Sequence, residues 1–251
     1  RHPALRTAIL TRELLQVVFN DPVFEWEEHS WSQLDSSEFR VNLDVLLQQQ
    51  RSKGFGLDKS PLTEFHLIEG GGKYVFVWNF HHAIMDGWSM ATLFDQAIEI
   101  YSAILNDKPF PESEGAAYAT YIDWLTHYDT SSSEQFWSEY LQSDAVDSEL
   151  DIENSVSHSK QQSAQRQMSR AENHIPQGVV EQLNQLAVLQ KVPVSALMQS
   201  AFELLLCSHA EQSAFVYGEV VAGRPVHIPD IERAVGLYVN SLPVVTSYQP
   251  D

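Results

Sequence analysis

Two adjacent histidines, His81 and His82, are followed after three residues by Asp86 and Gly87, and this cluster is the part of the sequence best suited to chemistry. A neutral imidazole can accept a proton from an attacking amine or alcohol, or hold such a group in line with an electrophile. A carboxylate four residues further on can orient a histidine or pair with an arginine. A glycine beside it permits a turn that a side chain would obstruct. The cluster predicts a site for proton transfer or for positioning a nucleophile.

Regular elements are predicted on both sides of the cluster. Residues 73–80 are rich in aromatic and β-branched side chains, which predicts a strand, and a Gly-Gly-Gly run at 70–72 joins it to a second strand-like segment at 63–69. This pattern predicts an antiparallel hairpin. After the cluster, Ser89 can cap a helix whose apolar residues recur at helical spacing as far as Leu105. The histidines are therefore expected where a strand ends and a loop leads into a helix.

The alternation of side chains along a strand separates the two histidines, because successive residues point to opposite faces. We expect His82 to face the site and His81 to serve structure. Opposed faces make metal chelation by this pair awkward, and with one cysteine and no histidine pair at i, i+4 spacing, no metal site is expected. No Gly-x-Ser-x-Gly motif supports a hydrolase. From these residues alone, a purely structural role, in which the histidines and Asp86 satisfy one another, also stays open.

Composition narrows the class of protein. The formal net charge of −19, with only 15 Lys and Arg residues among 251, argues against binding to nucleic acid or to an anionic membrane surface. The single cysteine, Cys207, lies in an apolar run and is expected to be a small buried side chain in a reducing compartment. No stretch approaches the ~20 apolar residues that span a bilayer, and no secretory signal opens the chain. We predict a cytoplasmic protein, and the absence of an initiator Met predicts a piece of something longer.

Further helices and strands are predicted along the chain in a mixed α/β arrangement of the α+β type. The periodicity of apolar residues predicts helices at 43–51, 118–128, 136–141 and 178–190, a buried helix at 195–207, and strands at 23–31, 214–221 and 236–245. Between residues 142 and 173 the composition changes to Ser, Gln, Asp and Glu. We therefore predict an N-terminal lobe over 1–145, a linker or excursion over 146–173, and a C-terminal lobe over 174–251.

Five sequence blocks occur in an order that resembles the condensation domains of nonribosomal peptide synthetases. His-His-x-x-x-Asp-Gly followed by Trp-Ser is the central one. The other four are Arg-His-Pro-Ala-Leu-Arg-Thr at 1–7, Tyr-Ala-Thr-Tyr-Ile-Asp-Trp at 118–124, Gly-Glu-Val-Val-Ala-Gly-Arg-Pro at 218–225 and Val-Gly-Leu-Tyr-Val-Asn-Ser-Leu-Pro at 235–243. In the block at 118–124, Thr120 and Ile122 depart from the Asp and Ala that are usual in the family. The blocks extend over nearly the whole chain, so the resemblance is specific.

The resemblance implies a two-lobed pseudodimer like chloramphenicol acetyltransferase, with the active site in a tunnel between the lobes. Condensation domains are longer than this chain, so the opening of the first lobe and the later parts of the second are expected to be missing. The implied partners are donor and acceptor peptidyl carrier proteins and adjacent synthetase domains. No tightly bound cofactor is implied, since phosphopantetheine arrives on the carriers. The implied reaction joins a donor acyl or peptidyl thioester to the amine of an acceptor aminoacyl thioester as an amide.

The roles of individual residues also follow from the resemblance. His82 is expected at the reacting amine, as a base or as a positioning group, with His81, Asp86 and Gly87 completing the catalytic motif. Asp86 is expected to pair with Arg6 and brace the loop, and Gly87 to offer a backbone amide near the reacting centre. The residues expected to support the site are Arg6, Trp88 and Ser89. The residues expected to line the tunnel are Asn240, Tyr238, Gly223 and Arg224.

Three related alternatives stay open. Epimerisation domains share the two histidines and Asp-Gly, although the Trp88-Ser89-Met90 continuation is more typical of condensation domains. Alcohol acyltransferases share His-x-x-x-Asp-Gly, but the first and last blocks favour the peptide family. A non-catalytic module that docks carrier proteins is the third alternative, supported by the departure at Thr120.

Overall fold

The computed structural model describes residues 1–110, 115–142, 171–210, 214–225 and 227–247. Within these ranges the helices are α1 (Ser36–Lys53), α2 (Gly87–Leu105), α3 (Tyr118–His127), α4 (Ser131–Tyr140), α5 (Gln177–Gln190) and α6 (Val194–Ala210). The strands are β1 (Thr7–Leu10), β2 (Leu15–Val18), β3 (Glu25–Ser30), β4 (Thr63–Gly70), β5 (Lys73–Phe80), β6 (Ala214–Val221) and β7 (Asn240–Ser247). The mixture of helix and sheet agrees with the predicted class. Most of the predicted linker, 146–173, lies outside the described residues.

The chain divides into two compact units. Unit 1 consists of Arg1–Tyr128 together with Val220–Asn240, and unit 2 consists of Asp129–Glu219 together with Ser241–Asp251. Unit 1 contains the histidine cluster and the blocks at 1–7 and 118–124, and the two later blocks each begin or end in unit 2. Unit 1 is therefore assembled from two stretches of chain that are distant in sequence.

The central sheet of unit 1 has the strand order β3-β4-β5, with β3 parallel to β4 and β4 antiparallel to β5. The predicted hairpin is confirmed, and Gly71 and Gly72 form its turn with φ of 59° and 72°, which favour glycine. On one face of the sheet, α1 buries Phe39 and Leu46 against Ile68 of β4. On the other face, Trp78 of β5 packs edge-on against Phe94 of α2, with ring centroids 5.5 Å apart. Helices therefore cover both faces of the sheet beside β5, the strand that leads into the histidine cluster.

Helix α1 is held at both ends by side chains. At its start, Asp35 and Glu38 form a reciprocal capping box: Asp35 Oδ1 accepts from the Glu38 backbone N–H at 2.9 Å, and Glu38 Oε2 accepts from the Asp35 backbone N–H at 3.1 Å. At its end, Lys53 donates to Glu64 of β4 at 2.6 Å and to Glu25 of β3 at 3.3 Å. The hydrogen bond to Glu64 is the main cause that raises the pKa of Lys53. These contacts fix α1 to the two strands that it covers.

Unit 2 contains α4, α5 and α6 and most of the paired strands β6 and β7. The predicted strand at 214–221 is confirmed, while the predicted strand at 236–245 begins only at Asn240 and continues through Pro243. Cys207 is buried, as predicted. The expectation that the helix at 195–207 is buried all round is wrong, because Phe202 and Leu205 remain 45% and 54% exposed. Among the described residues, too few elements pack around α6 to cover every face.

No helix in the described part of the chain is both long enough and apolar enough to cross a membrane.

Candidate active site

The histidine cluster lies in a short connection between β5 and α2 whose backbone is fixed on both sides. The N–H of His81 donates to the Leu62 carbonyl at 3.0 Å, and His81 Nδ1 accepts from the Ala83 N–H at 3.1 Å. His82–Ile84 form a 3-10 turn, and the following Met85 is fully buried. His81 therefore caps the turn, which agrees with the structural role expected for it.

His82 is exposed, in contrast to the buried residues that follow it. Its imidazole makes no hydrogen bond or ion pair to any other described residue. Since β5 ends at Phe80, the strand alternation used to orient His82 does not extend to it. What separates the two imidazoles is the 3-10 turn, which engages His81 and leaves both nitrogens of His82 available.

Asp86 is buried, with 1% of its surface exposed, and its carboxylate is fully hydrogen-bonded. Oδ1 accepts from the backbone N–H of Ser89 at 2.8 Å and so caps α2, which begins at Gly87. The sequence had suggested Ser89 as that cap. Arg224 donates to both oxygens, from Nη2 to Oδ1 at 3.0 Å and from Nη1 to Oδ2 at 3.1 Å, and the N–H of Tyr238 donates to Oδ2 at 3.0 Å. This is a buried bidentate ion pair.

The charge of Asp86 follows from these contacts. Burial raises the pKa of this carboxyl, but the hydrogen bonds from Arg224, from the backbone of Ser89 and Tyr238, and from the Ser89 hydroxyl outweigh it, so the net pKa lies below its usual range. Asp86 is therefore an anion at neutral pH with its acceptor positions occupied. Such a carboxylate is a brace for the loop and is unsuited to take a proton from a substrate.

The predicted pairing of Asp86 with Arg6 is wrong. Arg6 instead donates to the backbone carbonyls of Phe19 and Asn20 and so fastens the end of the β1–β2 hairpin. Arg224, which was expected to line a tunnel, is the cation that pairs with Asp86. The two arginines are equally available by composition, and only the fold decides between them.

Ser89 extends the brace to the segment around Gly236. Its hydroxyl is buried and lies 2.8 Å from both Asp86 Oδ1 and the Gly236 carbonyl, so its one proton is donated to one of these two acceptors. It also accepts from Arg224 Nη2 at 3.0 Å and from the Gly236 N–H at 3.1 Å. In addition, the N–H of Asp86 donates to the Gly236 carbonyl at 3.2 Å. Sequence reasoning did not identify Gly236, which acts through its backbone.

The guanidinium of Arg224 is held from a second direction by Tyr238. Its central carbon lies 4.6 Å from the centre of the Tyr238 ring, and that ring is itself buried among the rings of Tyr118 and Tyr121. Burial is the main cause that raises the pKa of Tyr238 to about 12. Gly223, with φ of 61°, permits this approach, since a Cβ there would lie 1.7 Å from the Tyr238 carbonyl oxygen.

The remaining predicted residues lie at the edge of this network. A Cβ on Gly87 would meet nothing within 4 Å among the described residues, and its φ is not in the left-handed region, so the expectation that the turn requires glycine there is wrong. Trp88 is 51% exposed at the start of α2. Asn240 is exposed at the first position of β7. The structure thus brings Asp86, Ser89, Gly223, Arg224 and Tyr238 together and leaves His82, Gly87, Trp88 and Asn240 on the surface of the described chain.

Comparison with known proteins identifies the family. The condensation-domain family profile matches residues 1–251. The chain is 30% identical over 259 aligned residues to a linear gramicidin synthase protein of Brevibacillus parabrevis, covering 100% of this chain and 3% of that protein. It is 27% identical over 248 aligned residues to bacitracin synthase 3 of Bacillus licheniformis, covering 97% of this chain and 4% of that protein. The chain therefore spans a small part of the length of these relatives.

Solved structures show the same fold. An epimerization domain from the third module of tyrocidine synthetase B matches with a TM-score of 0.74 at 18% identity, covering 99% of this chain and 58% of that one. The first condensation domain of the calcium-dependent antibiotic synthetase, in complex with a substrate analogue, matches with a TM-score of 0.73 at 16% identity, covering 99% of this chain and 59% of that one. The resemblance found in the sequence is thereby confirmed. The chain belongs to the condensation-domain family of nonribosomal peptide synthetases, whose members are acyl-transferring enzymes.

Proposed function

We propose that this chain forms an amide bond between a donor acyl or peptidyl thioester and the amine of an acceptor aminoacyl thioester, each carried by a carrier protein. The observation that carries the proposal is the contrast within the motif. The imidazole of His82 is exposed and unengaged among the described residues, while Asp86 beside it is buried and ionised within a fixed network. A rigid loop that presents one free imidazole suits a reaction in which an amine must be positioned and deprotonated.

In the proposed reaction, the amine nitrogen of the acceptor attacks the carbonyl carbon of the donor thioester. The new C–N bond forms, the C–S bond breaks, and the donor carrier leaves as a thiol that takes up one proton. The amine loses one proton, either to His82 or directly to the departing sulfur. The phosphopantetheine arms belong to the two substrates, so the domain itself needs no resident cofactor for this step.

The two roles proposed for His82 differ in size. Acid or base assistance typically contributes ~10²–10⁴-fold to a rate. Holding two reactants in register can contribute ~7–11 kcal/mol of the barrier. Because a thioester is already an activated acyl group, we propose that His82 acts mainly by positioning the amine, with proton acceptance as the smaller contribution.

Gly87 has a different proposed role. Its N–H is the first of α2, and the first N–H groups of a helix have no partner within that helix. The open space beside its Cα leaves room for a substrate carbonyl, and a donor fixed at a helix N-terminus stabilises developing negative charge on oxygen. We propose that the donor carbonyl oxygen accepts this hydrogen bond as the tetrahedral intermediate forms.

The test is a reconstituted reaction. The chain is incubated with a donor-loaded and an acceptor-loaded carrier protein, for a panel of aminoacyl groups, and the acceptor carrier is analysed by mass spectrometry. We expect a dipeptidyl thioester on the acceptor carrier, and its loss in His82→Ala. His127→Ala is the matched control, because His127 is also an exposed histidine in unit 1.

Other outcomes favour the other candidates. Inversion of a carrier-bound aminoacyl centre without dipeptide would favour epimerisation, an activity suggested by the structural match to the tyrocidine synthetase B epimerization domain. Carrier binding without any product would favour a docking module. Dipeptide formation that is unchanged in His82→Ala would refute the role proposed for His82.

A further inference from the structure

A second group of histidines lies away from the motif, on the central sheet of unit 1. Glu27 and His29 lie on β3 and His66 lies on β4, and each offers one ligand atom to a common point. His29 Nε2 and His66 Nδ1 are 3.2 Å apart. Glu27 Oε2 lies 3.4 Å from His66 Nδ1 and 3.6 Å from His29 Nε2. Three atoms that can each bind a proton or a metal ion therefore converge.

The strand geometry explains why these side chains meet. Glu27 and His29 are two residues apart on β3, so they share one face of the sheet. His66 is the register partner of Glu27 on the adjacent parallel strand β4. The same face carries Ile68, which α1 covers. The convergence is fixed by strand pairing and is independent of loop conformation.

The distances match a tetrahedral metal centre. With metal–nitrogen and metal–oxygen bonds of ~2.0–2.1 Å, the edges of a tetrahedron are ~3.3–3.4 Å long, and the three measured separations bracket this length. Two imidazoles and one carboxylate are also a donor set that Zn²⁺ uses when water completes its coordination. Fit of both geometry and donor type favours Zn²⁺ over Mg²⁺ or Ca²⁺, which prefer oxygen ligands.

Burial differs among the three ligands in a way that suits binding from solvent. His66 is 1% exposed, and its far nitrogen, Nε2, is buried with no hydrogen-bond partner among the described residues. Its contacts with the other two ligands therefore all run through Nδ1. The side chains of His29 and Glu27 are 22% and 54% exposed. The ion can enter past Glu27, and water on that side can supply the remaining ligand.

We infer that Glu27, His29 and His66 form a binding site for one Zn²⁺ ion that ties the edge strand β3 to β4. This site is separate from the histidine motif and from the proposed amide-forming reaction. The alternative is a metal-free cluster in which the imidazoles and the carboxylate share protons through hydrogen bonds, and titration with the metal distinguishes the two.

The experiment titrates the purified 251-residue chain, first stripped with a chelator, with Zn²⁺ alone by isothermal titration calorimetry. We expect one ion per chain, and we expect Zn²⁺ to raise the thermal unfolding midpoint. Co²⁺ in place of Zn²⁺ is expected to give the intense visible absorption of a tetrahedral centre. Because loss of an outer-sphere partner already costs ~10–100-fold in metal affinity, loss of a direct ligand in Glu27→Gln or His29→Gln is expected to cost at least that much.

The variants are chosen so that folding and binding are separable. Glu27 and His29 are partly exposed, so their glutamine variants are expected to fold, which circular dichroism checks. His127→Gln is the matched control, because His127 pairs with Asp123 at 3.6 Å without a third ligand in the described chain. Zn²⁺ binding that is absent from the wild type, or that is equal in wild type, Glu27→Gln and His29→Gln, would overturn the inference and leave the hydrogen-bonded cluster.

Discussion

Replacing Arg224 by alanine tests whether the brace under the histidine loop is the one that the structure assigns. The variant removes two hydrogen bonds, of 3.0 and 3.1 Å, from a carboxylate whose side chain is 0% exposed, and it leaves that charge buried. Breaking a buried ion pair by removing one partner typically costs ~3–5 kcal/mol. For a chain of this size, each kcal/mol shifts the melting temperature by ~2–4 °C, so a fall of ~6–20 °C is expected.

Arg6→Ala is the matched control, since Arg6 is the arginine that the sequence suggested as the partner of Asp86. Its guanidinium donates to backbone carbonyls at an exposed position, so its loss is expected to cost about 1 kcal/mol. Both variants are compared with wild type by urea unfolding and by thermal melting. Arg224→Lys serves if the alanine variant is insoluble, because an ammonium cannot reproduce the bidentate contact.

A double-mutant cycle isolates the pair itself. Asp86→Asn and Arg224→Met are measured singly and together, and residues in direct contact are expected to show a coupling energy above ~1 kcal/mol. The reasoning is refuted if Arg6→Ala destabilises the protein as much as Arg224→Ala does, or if Asp86→Asn and Arg224→Met are additive.

Three further predictions concern the same loop and its surroundings. Gly223→Ala is expected to destabilise the protein by ~1–3 kcal/mol or more, because the new Cβ meets the Tyr238 carbonyl at 1.7 Å and φ is 61°, whereas Gly87→Ala, with open space around it, is expected to keep wild-type stability in urea unfolding and to lower dipeptide formation. The folded-state pKa of Asp86 lies below its unfolded value of 3.8, so its stabilising contribution is present above pH ~4 and is lost as the pH falls through the folded pKa; wild type and Asp86→Asn should therefore converge in stability on acidification. His82→Ala is expected to melt like wild type and to lose dipeptide formation by at least ~10²-fold in a carrier-based assay.

Each of these outcomes has a clear opposite. Equal stability of Gly223→Ala and wild type would mean that the close approach to Tyr238 is not required. A stability difference between wild type and Asp86→Asn that persists unchanged in acid would mean that the carboxylate titrates normally. A His82→Ala variant that unfolds would indicate a structural role for this imidazole.

Local features of the fold could be predicted because local sequence determines them. The β4–β5 hairpin follows from two β-rich segments around Gly71 and Gly72, and α2 follows from its apolar spacing. The capping residue was misplaced by three positions, because Asp86 and Ser89 both have side chains that cap helices and only the backbone path decides between them. Such choices depend on geometry that residue types do not fix.

Contacts between distant parts of the chain could not be predicted in the same way. Asp86 and Arg224 are 138 residues apart, and nothing local distinguishes Arg224 from Arg6 as the partner. One signal was present: Arg224 lies between a glycine and a proline, and such a rigid turn suits a cation held in a fixed direction. The pair His29 and His66 escaped notice because a search for ligands along one helix or one loop does not detect side chains that strand register brings together.

The division of unit 1 into two stretches of chain has a consequence for how the protein is made. During synthesis the histidine loop emerges well before Arg224, Gly236 and Tyr238, so the buried carboxylate of Asp86 has none of its distant partners until the 138 residues that separate it from Arg224 have been added. An uncompensated charge opposes burial, so the loop is not expected to close on the nascent chain. The site is therefore the last part of unit 1 to form, and a chain that stops before residue 224 holds the complete histidine motif without the means to fix it in place.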